Sequence, residues 1–166
     1  MPGTVPAARP SASDRAGTGC DRDDGLQSTR RSLPIALLRA REAVMARFRP
    51  ILAEHSVTEQ QWRVIRVLGE SSPRDATAVA DHCCILMPSM TRIIRALQER
   101  GLITRKRDAA DGRKLVLAIT PAGRALLDQV APHSLAVYRD IEARYGSGRV
   151  ETLLDMLEDL ALLGGR

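Results

Sequence analysis

Pro88, Thr91, Arg92 and Arg95 recur three and four residues apart, and Met90, Ile93, Ile94 and Leu97 interleave with them. On a helix the first set shares one side and the second set the other. Hydroxyl and guanidinium groups on a face anchored by an apolar stripe can bond base-pair edges. Arginine is the commonest reader of guanine, and a threonine methyl suits thymine. Ser89 lies in the same first turn. Alone, such a helix reads as solvated surface, but its neighbours change that reading. A short helix and a bend precede it, and a hairpin follows with Arg105, Lys106, Arg107, Arg113 and Lys114 against Asp108 and Asp111. Cations on a projecting tip beside such a helix sit where phosphates or a minor groove lie. The spacing of Asp111 and Arg113 lets the aspartate fix the arginine's fork while the guanidinium points at nucleic acid.

A second chemistry centres on Arg41. Leu37, Leu38, Val44, Met45, Phe48 and Leu52 define an apolar stripe, and Arg41 falls at its centre. A guanidinium aimed at an interior must be paired, because stranding it is costly. Two pairings are open: an acidic side chain of this chain or a second copy, and the carboxylate of a small organic acid held bidentately. Trp62 fits either the wall of such a pocket or the core. His55 and His133 can serve a ring hydroxyl.

Several classes fall away. The sequence holds no HExxH, no glycine-rich phosphate loop and no nucleophile elbow, so an enzyme is not expected. His82, Cys83 and Cys84 are adjacent and lack a distant second pair, which is not tetrahedral zinc spacing, so neither metal nor cofactor is expected. No stretch approaches the roughly 20 apolar residues of a membrane span, and the N-terminus lacks an apolar signal core. A cytoplasmic protein is expected. The net charge of +5 suits a polyanionic partner or an anionic ligand. Aromatic residues are only 2% of the chain, so any core must be aliphatic.

The elements that must position these residues follow from pattern. Residues 1–31, rich in Pro, Gly, Ser and charge, form an expected disordered extension. Ser32 and Pro34 open a dimerisation helix over 32–57. Residues 58–119 form a winged helix-turn-helix. It starts at a Thr58–Gln61 capping box, passes the break at "SSPRD" and a short helix "ATAVADHC", and reaches the reading helix from about Pro88 to Gly101. Two strands follow around "DAADG", with Leu115, Leu117 and Ile119 alternating along the second. Residues 120–166 supply two further dimerisation helices, the first capped by Thr120 and Pro121 and interrupted by Pro132. The last carries Val150, Leu153, Leu154, Leu157, Leu160 and Ala161 on one stripe. The fold class is mostly α, a winged helix-turn-helix with long terminal dimerisation helices in the order α-α-α-α-β-β-α-α. The end helices have nothing in the chain to cover their stripes, and a homodimer is expected.

"DGRKLVLAITPAG", "VTEQQW" and "ALQERGLITR" resemble the MarR family of dimeric winged-helix regulators. "SLPIALLRAREAVMARFRPILAEH", "TEQQWRVIRVLGE" and "CILMPSMT" resemble its subgroup regulating homoprotocatechuate degradation. The resemblance spans residues 32–164. It implies a regulator, by family habit a repressor, on a pseudo-palindromic double-stranded DNA operator. It also implies release by a small aromatic acid, 4-hydroxyphenylacetate, homoprotocatechuate or an analogue, bound at the junction of dimer arm and winged helix. Gly112 stands where the family often has another arginine. Two alternatives carry distinct signals. Relatives that sense peroxides place a cysteine near the start of the first long helix, but residues 32–82 contain none; Cys83, Cys84 and Cys20 lie elsewhere. A DNA-organising protein without an effector would give Arg41 no ligand.

Overall fold

The computed structural model describes residues 31–164, so the extension expected over 1–31 lies, but for Arg31, outside the described residues. The chain divides into two units between Arg39 and Ala40. Six helices and three strands follow in order: α1 (Leu33–Glu54), α2 (Glu59–Glu70), β1 (Arg74–Asp75), α3 (Ala76–His82), α4 (Met87–Glu99), β2 (Ile103–Arg107), β3 (Leu115–Ile119), α5 (Pro121–Tyr145) and α6 (Ser147–Leu162). This is the expected winged helix-turn-helix with one addition. The "SSPRD" break contains a two-residue strand, and β1 pairs antiparallel with β3, which pairs antiparallel with β2.

Local chemistry explains most boundaries. Thr58 accepts the Gln61 amide while the Gln61 side chain accepts the Thr58 amide, so the capping box opens α2. Asp75 caps α3 by taking the amides of Thr77 and Ala78. Thr120 caps α5 through the Gly123 amide and donates its hydroxyl to the Gly101 carbonyl at 2.7 Å. Gly123 is required by contact: a Cβ there would meet the Leu102 carbonyl oxygen at 2.3 Å. The "TPAG" signature is therefore a joint that seats α5 on the end of α4.

Three helices close with the same pair of backbone bonds. After α4, Leu102 donates to Leu97 and Gly101 to Gln98, with Gly101 at φ +68°. After α1 the equivalent donors are Val57 and Ser56, and after α3 they are Ile85 and Cys84. Ser56 and Cys84 hold φ values of 54° and 52°, in the left-handed region that favours glycine.

The core is aliphatic, as the composition demands. Val64, Ile65 and Leu68 of α2, Val79 of α3, Met90, Ile94 and Leu97 of α4, and Leu117 of β3 are all fully buried. β3 alternates less cleanly than expected: Leu117 is buried, Leu115 and Ile119 on the same face are half-buried, and so are Val116 and Ala118 on the other. Pro132 does not interrupt α5, which runs unbroken from Pro121 to Tyr145. The proline is exposed, so its ring and the helix bond it removes both fall on the solvent side. Among the described residues α6 buries none of its own, and Leu153, Leu154 and Met156 are exposed. No helix among the described residues is long and apolar enough to cross a membrane.

Gly123→Ala should lower stability by about 2–3 kcal/mol, because the new methyl meets backbone rather than a movable side chain. Cys84→Gly should raise it by roughly 0.5–1 kcal/mol by relieving the left-handed residue. Denaturant midpoints at unchanged slope check both.

Candidate nucleic-acid interface and ligand cavity

The azimuth of α4 is set by burial. Met90, Ile93, Ile94 and Leu97 are buried against the core, and this turns Pro88, Ser89, Thr91, Arg92 and Arg95 to the surface. A shallow cleft brings Thr91, Arg92, Arg95, Gln98 and Glu99 together with Arg105 of the first wing strand. Helix and wing therefore offer one continuous cationic surface. Arg92 and Arg105 form no ion pair among the described residues, whereas the Arg95 Nε donates to Glu99 Oε1 at 2.8 Å. That contact leaves the far end of the Arg95 fork for a base or phosphate. The Thr91 hydroxyl donates to the Met87 carbonyl at 3.1 Å, which leaves its methyl and an oxygen lone pair as the groups it can offer.

The wing tip is built by carboxylates. Asp108 accepts the amides of Ala110 and Asp111, and these bonds hold its carboxyl below the usual range. Asp111 accepts the backbone amide of Arg113, not its guanidinium, so the expected side-chain fork contact is replaced by a turn contact. Lys106, Arg113 and Lys114 are exposed on this tip, and among the described residues none of them forms an ion pair. Arg107 donates to the Gly112 carbonyl at 2.9 Å and braces the loop.

The second site is a cavity of about 360 Å³ walled by α1, α2, α5 and the bend after α3. Arg41, Val44, Met45 and Phe48 line it from α1. Glu59, Trp62, Arg63, Arg66, Val67 and Glu70 line it from α2, and Ser134 and Tyr138 from α5. Phe48 and Tyr138 meet in a tilted pair, 5.2 Å between centroids and 56° between planes, on one side of it. A neighbouring hollow of about 420 Å³ shares Trp62, Arg66, Ser134 and Tyr138 with it. Each volume falls within the roughly 300–1,000 Å³ of small-molecule sites.

Arg41 lines this cavity but is neither buried nor unpaired. Its fork binds Glu42 and Glu59, and Arg49 binds the same two carboxylates, closing a ring of four alternating charges. The ion-pair alternative is thus the one the chain satisfies internally. Burial pulls the Glu59 carboxyl upward, but bonds from Arg49 and Arg41 outweigh it and hold it below the usual range. Arg63 donates to the Cys83 carbonyl at 2.5 Å, yet its Nε is buried without a partner, and so is the Ser134 hydroxyl. Arg66 makes only a long 3.3 Å contact to Glu70 and keeps most of its donors. Trp62 is both core and cavity wall. His55 and His133 line neither hollow; His133 is exposed and the His55 carbonyl is used elsewhere. Arg63, Arg66 and Ser134 were missed from sequence, although Glu59, Trp62, Arg63, Arg66 and Glu70 follow the i, i+3, i+4, i+7, i+11 spacing of one helix face.

Cys83 and Cys84 are free thiols. Burial pushes the Cys83 thiol above its ordinary range, whereas Cys84 is exposed.

Comparison with known proteins gives a consistent pattern. A model of the MarR family matches residues 57–115. The chain is 42% identical over 133 residues to the homoprotocatechuate degradative operon repressor of Escherichia coli, covering 80% of this chain and 90% of that protein. The crystal structure of NadR in complex with 4-hydroxyphenylacetate is similar at a TM-score of 0.73 and 38% identity, covering 82% of this chain and 96% of that one. The repressor CouR, bound to a 23-mer DNA duplex, is similar at a TM-score of 0.71 and 31% identity, covering 78% and 92%.

Arg92→Ala should cost about 1–3 kcal/mol on a preferred duplex and broaden the preference at one position. Arg113→Ala should weaken every duplex alike and lower the salt slope by about one. Anisotropy titrations across a salt series separate the two behaviours.

Proposed function

The chain belongs to the MarR family, and on that premise we propose that residues 58–119 read operator DNA while the cavity beside them takes the acid that ends binding. The protein is a DNA-binding transcriptional repressor of an aromatic-acid degradation operon, and its effector is a small phenolic carboxylate. It acts as a homodimer in the cytoplasm, by binding rather than by catalysis. α1, α5 and α6 form the dimer arm, and a second copy covers the exposed apolar face of α6.

The DNA half rests on the cleft where the outward face of α4 meets Arg105 of the wing. In a two-fold dimer two such surfaces read half-sites about one helical turn, roughly 34 Å, apart. Arg92, Arg95 and Thr91 address base edges; Pro88 and Ser89 lie at the groove entrance. Arg105, Lys106, Arg107, Arg113 and Lys114 address phosphates or the minor groove, with Asp111 shaping the tip.

The effector half rests on a cavity whose wall carries Phe48, Trp62 and Tyr138 together with the cations Arg63 and Arg66. Arg63 Nε and Ser134 Oγ lie behind this wall, buried without a hydrogen-bond partner among the described residues. A benzene ring fits against Trp62, Phe48 and Tyr138. Arg66 has the spare donors for a carboxylate. The Arg41–Glu59 pair supplies an acceptor and a donor for a phenolic hydroxyl at the other end, so Arg41 serves the ligand through its ion pair rather than as the sole carboxylate clamp. The relatives support this ligand class, since NadR is known with 4-hydroxyphenylacetate and the E. coli relative represses a homoprotocatechuate operon.

Fluorescence anisotropy at fixed salt tests the whole reading. Wild type should bind DNA from upstream of its own gene at least about a thousandfold tighter than scrambled DNA. 4-Hydroxyphenylacetate or homoprotocatechuate should then weaken that binding. Arg66→Ala should keep the DNA affinity and lose the response. Specific binding that no aromatic acid disturbs in wild type would remove the effector half.

A further inference from the structure

The end of α1 and the end of α4 lie 45 residues apart in sequence yet share one side chain. Arg100, the residue that closes α4, donates from Nη1 to the Ser56 carbonyl at 2.6 Å and from Nη2 to the His55 carbonyl at 3.0 Å. Those two carbonyls belong to the terminal turn of α1, where the left-handed Ser56 redirects the chain and no further helical turn is present to use them. Among the described residues no other side-chain hydrogen bond joins these two helix ends.

We propose that Arg100 is the positioning residue that locks the reading helix to the dimer arm, so that its loss loosens the spacing at which the two reading helices of the dimer engage DNA. The inference rests on the reading of α4 as the DNA-reading helix. Three features carry it. The first is geometry: a planar guanidinium offers parallel donors, and two adjacent carbonyls take both, which fixes distance and rotation together. The second is placement. α1 brings Arg41, Val44, Met45 and Phe48 to the cavity and ends on Arg100, while α4 carries Arg92 and Arg95 and ends in the same residue. A tilt of α1 that a ligand imposes at one end therefore meets a charge-assisted joint to the reading helix, beside the core that Leu52 and Val57 share with Ile94 and Leu97. The third is the stiffness on either side. α4 closes on Gly101 with both backbone bonds made, and α1 closes on Ser56 in the same way, so the joint links two finished helices rather than two frayed ones.

A duplex selected by wild type from a randomised pool provides the test, together with versions carrying one or two base pairs inserted at its centre. Binding of wild type, Arg100→Ala and Arg100→Lys is followed by anisotropy at one salt concentration. The readout is the ratio of affinities between the selected and the respaced duplexes, in which any general loss of positive charge cancels. Wild type should discriminate strongly, and Arg100→Ala should cut the discrimination about tenfold, the size of an ordinary coupling. Arg100→Lys, which keeps the charge but reaches one carbonyl, should lose it similarly. Equal weakening on every duplex with the ratio intact would make Arg100 a simple phosphate contact and overturn the proposal. Amide exchange needs no DNA and decides the joint even if selection returns no duplex, a result that would sink the DNA reading instead. Arg100→Ala should speed exchange at both 52–58 and 97–102. Unchanged protection at 52–58 would overturn the joint.

Discussion

Val64, Ile65 and Leu68 of α2 are wholly buried in the core beneath α4, while Glu59, Trp62, Arg63 and Arg66 of the same helix wall the cavity. This double duty is the constraint on which the rest depends. One side of α2 fixes the azimuth of the reading helix through Met90, Ile94 and Leu97. The other side meets whatever occupies the hollow between α1 and α5. α2 is a helix of 12 residues that carries both faces within little more than three turns, so the cavity wall and the core beneath α4 share one short element.

The energetics fit a switch of ordinary size. Phe48, Trp62 and Tyr138 give the hollow between α1, α2 and α5 an aromatic wall. A preference of about 3 kcal/mol is sufficient to weaken operator binding roughly a hundredfold. Nothing in this requires Arg41 to leave its carboxylates. The ring of Arg41, Glu42, Arg49 and Glu59 ties α1 to the start of α2 and gives the cavity a fixed polar rim. Arg66 remains the cation with donors to spare.

Much of this was legible in the residues. The apolar stripe of α4, the Thr58 capping box, the wing and the Thr120 cap are all local patterns, and local patterns survive into the fold. What escaped was non-local or hidden by convention. β1 is two residues long and exists only because β3 offers it an edge. Ser56 and Cys84 end helices in the manner usually signalled by glycine, so their turns carried no signal. Pro132 looked like a break, but an exposed proline removes one bond on the solvent side and α5 absorbs it. Arg41 looked interior from its place in the stripe of α1. Its partner Glu59 stands 18 residues away, and only the turn at Ser56 brings them together. The cavity face of α2 was written at helical spacing all along, but Ser134 on α5 shows what that face encloses, and a single buried serine leaves no trace in a sequence.

If the cavity and the reading surface are two ends of one equilibrium, their ligands must weaken each other reciprocally. Calorimetry would measure the affinity of 4-hydroxyphenylacetate for the free protein and for the protein saturated with its operator duplex. The duplex should weaken the acid by the same factor by which the acid weakens the duplex. Equal affinity of the acid for the free and the DNA-bound protein would contradict it, because a ligand indifferent to the bound state cannot be what ends that state.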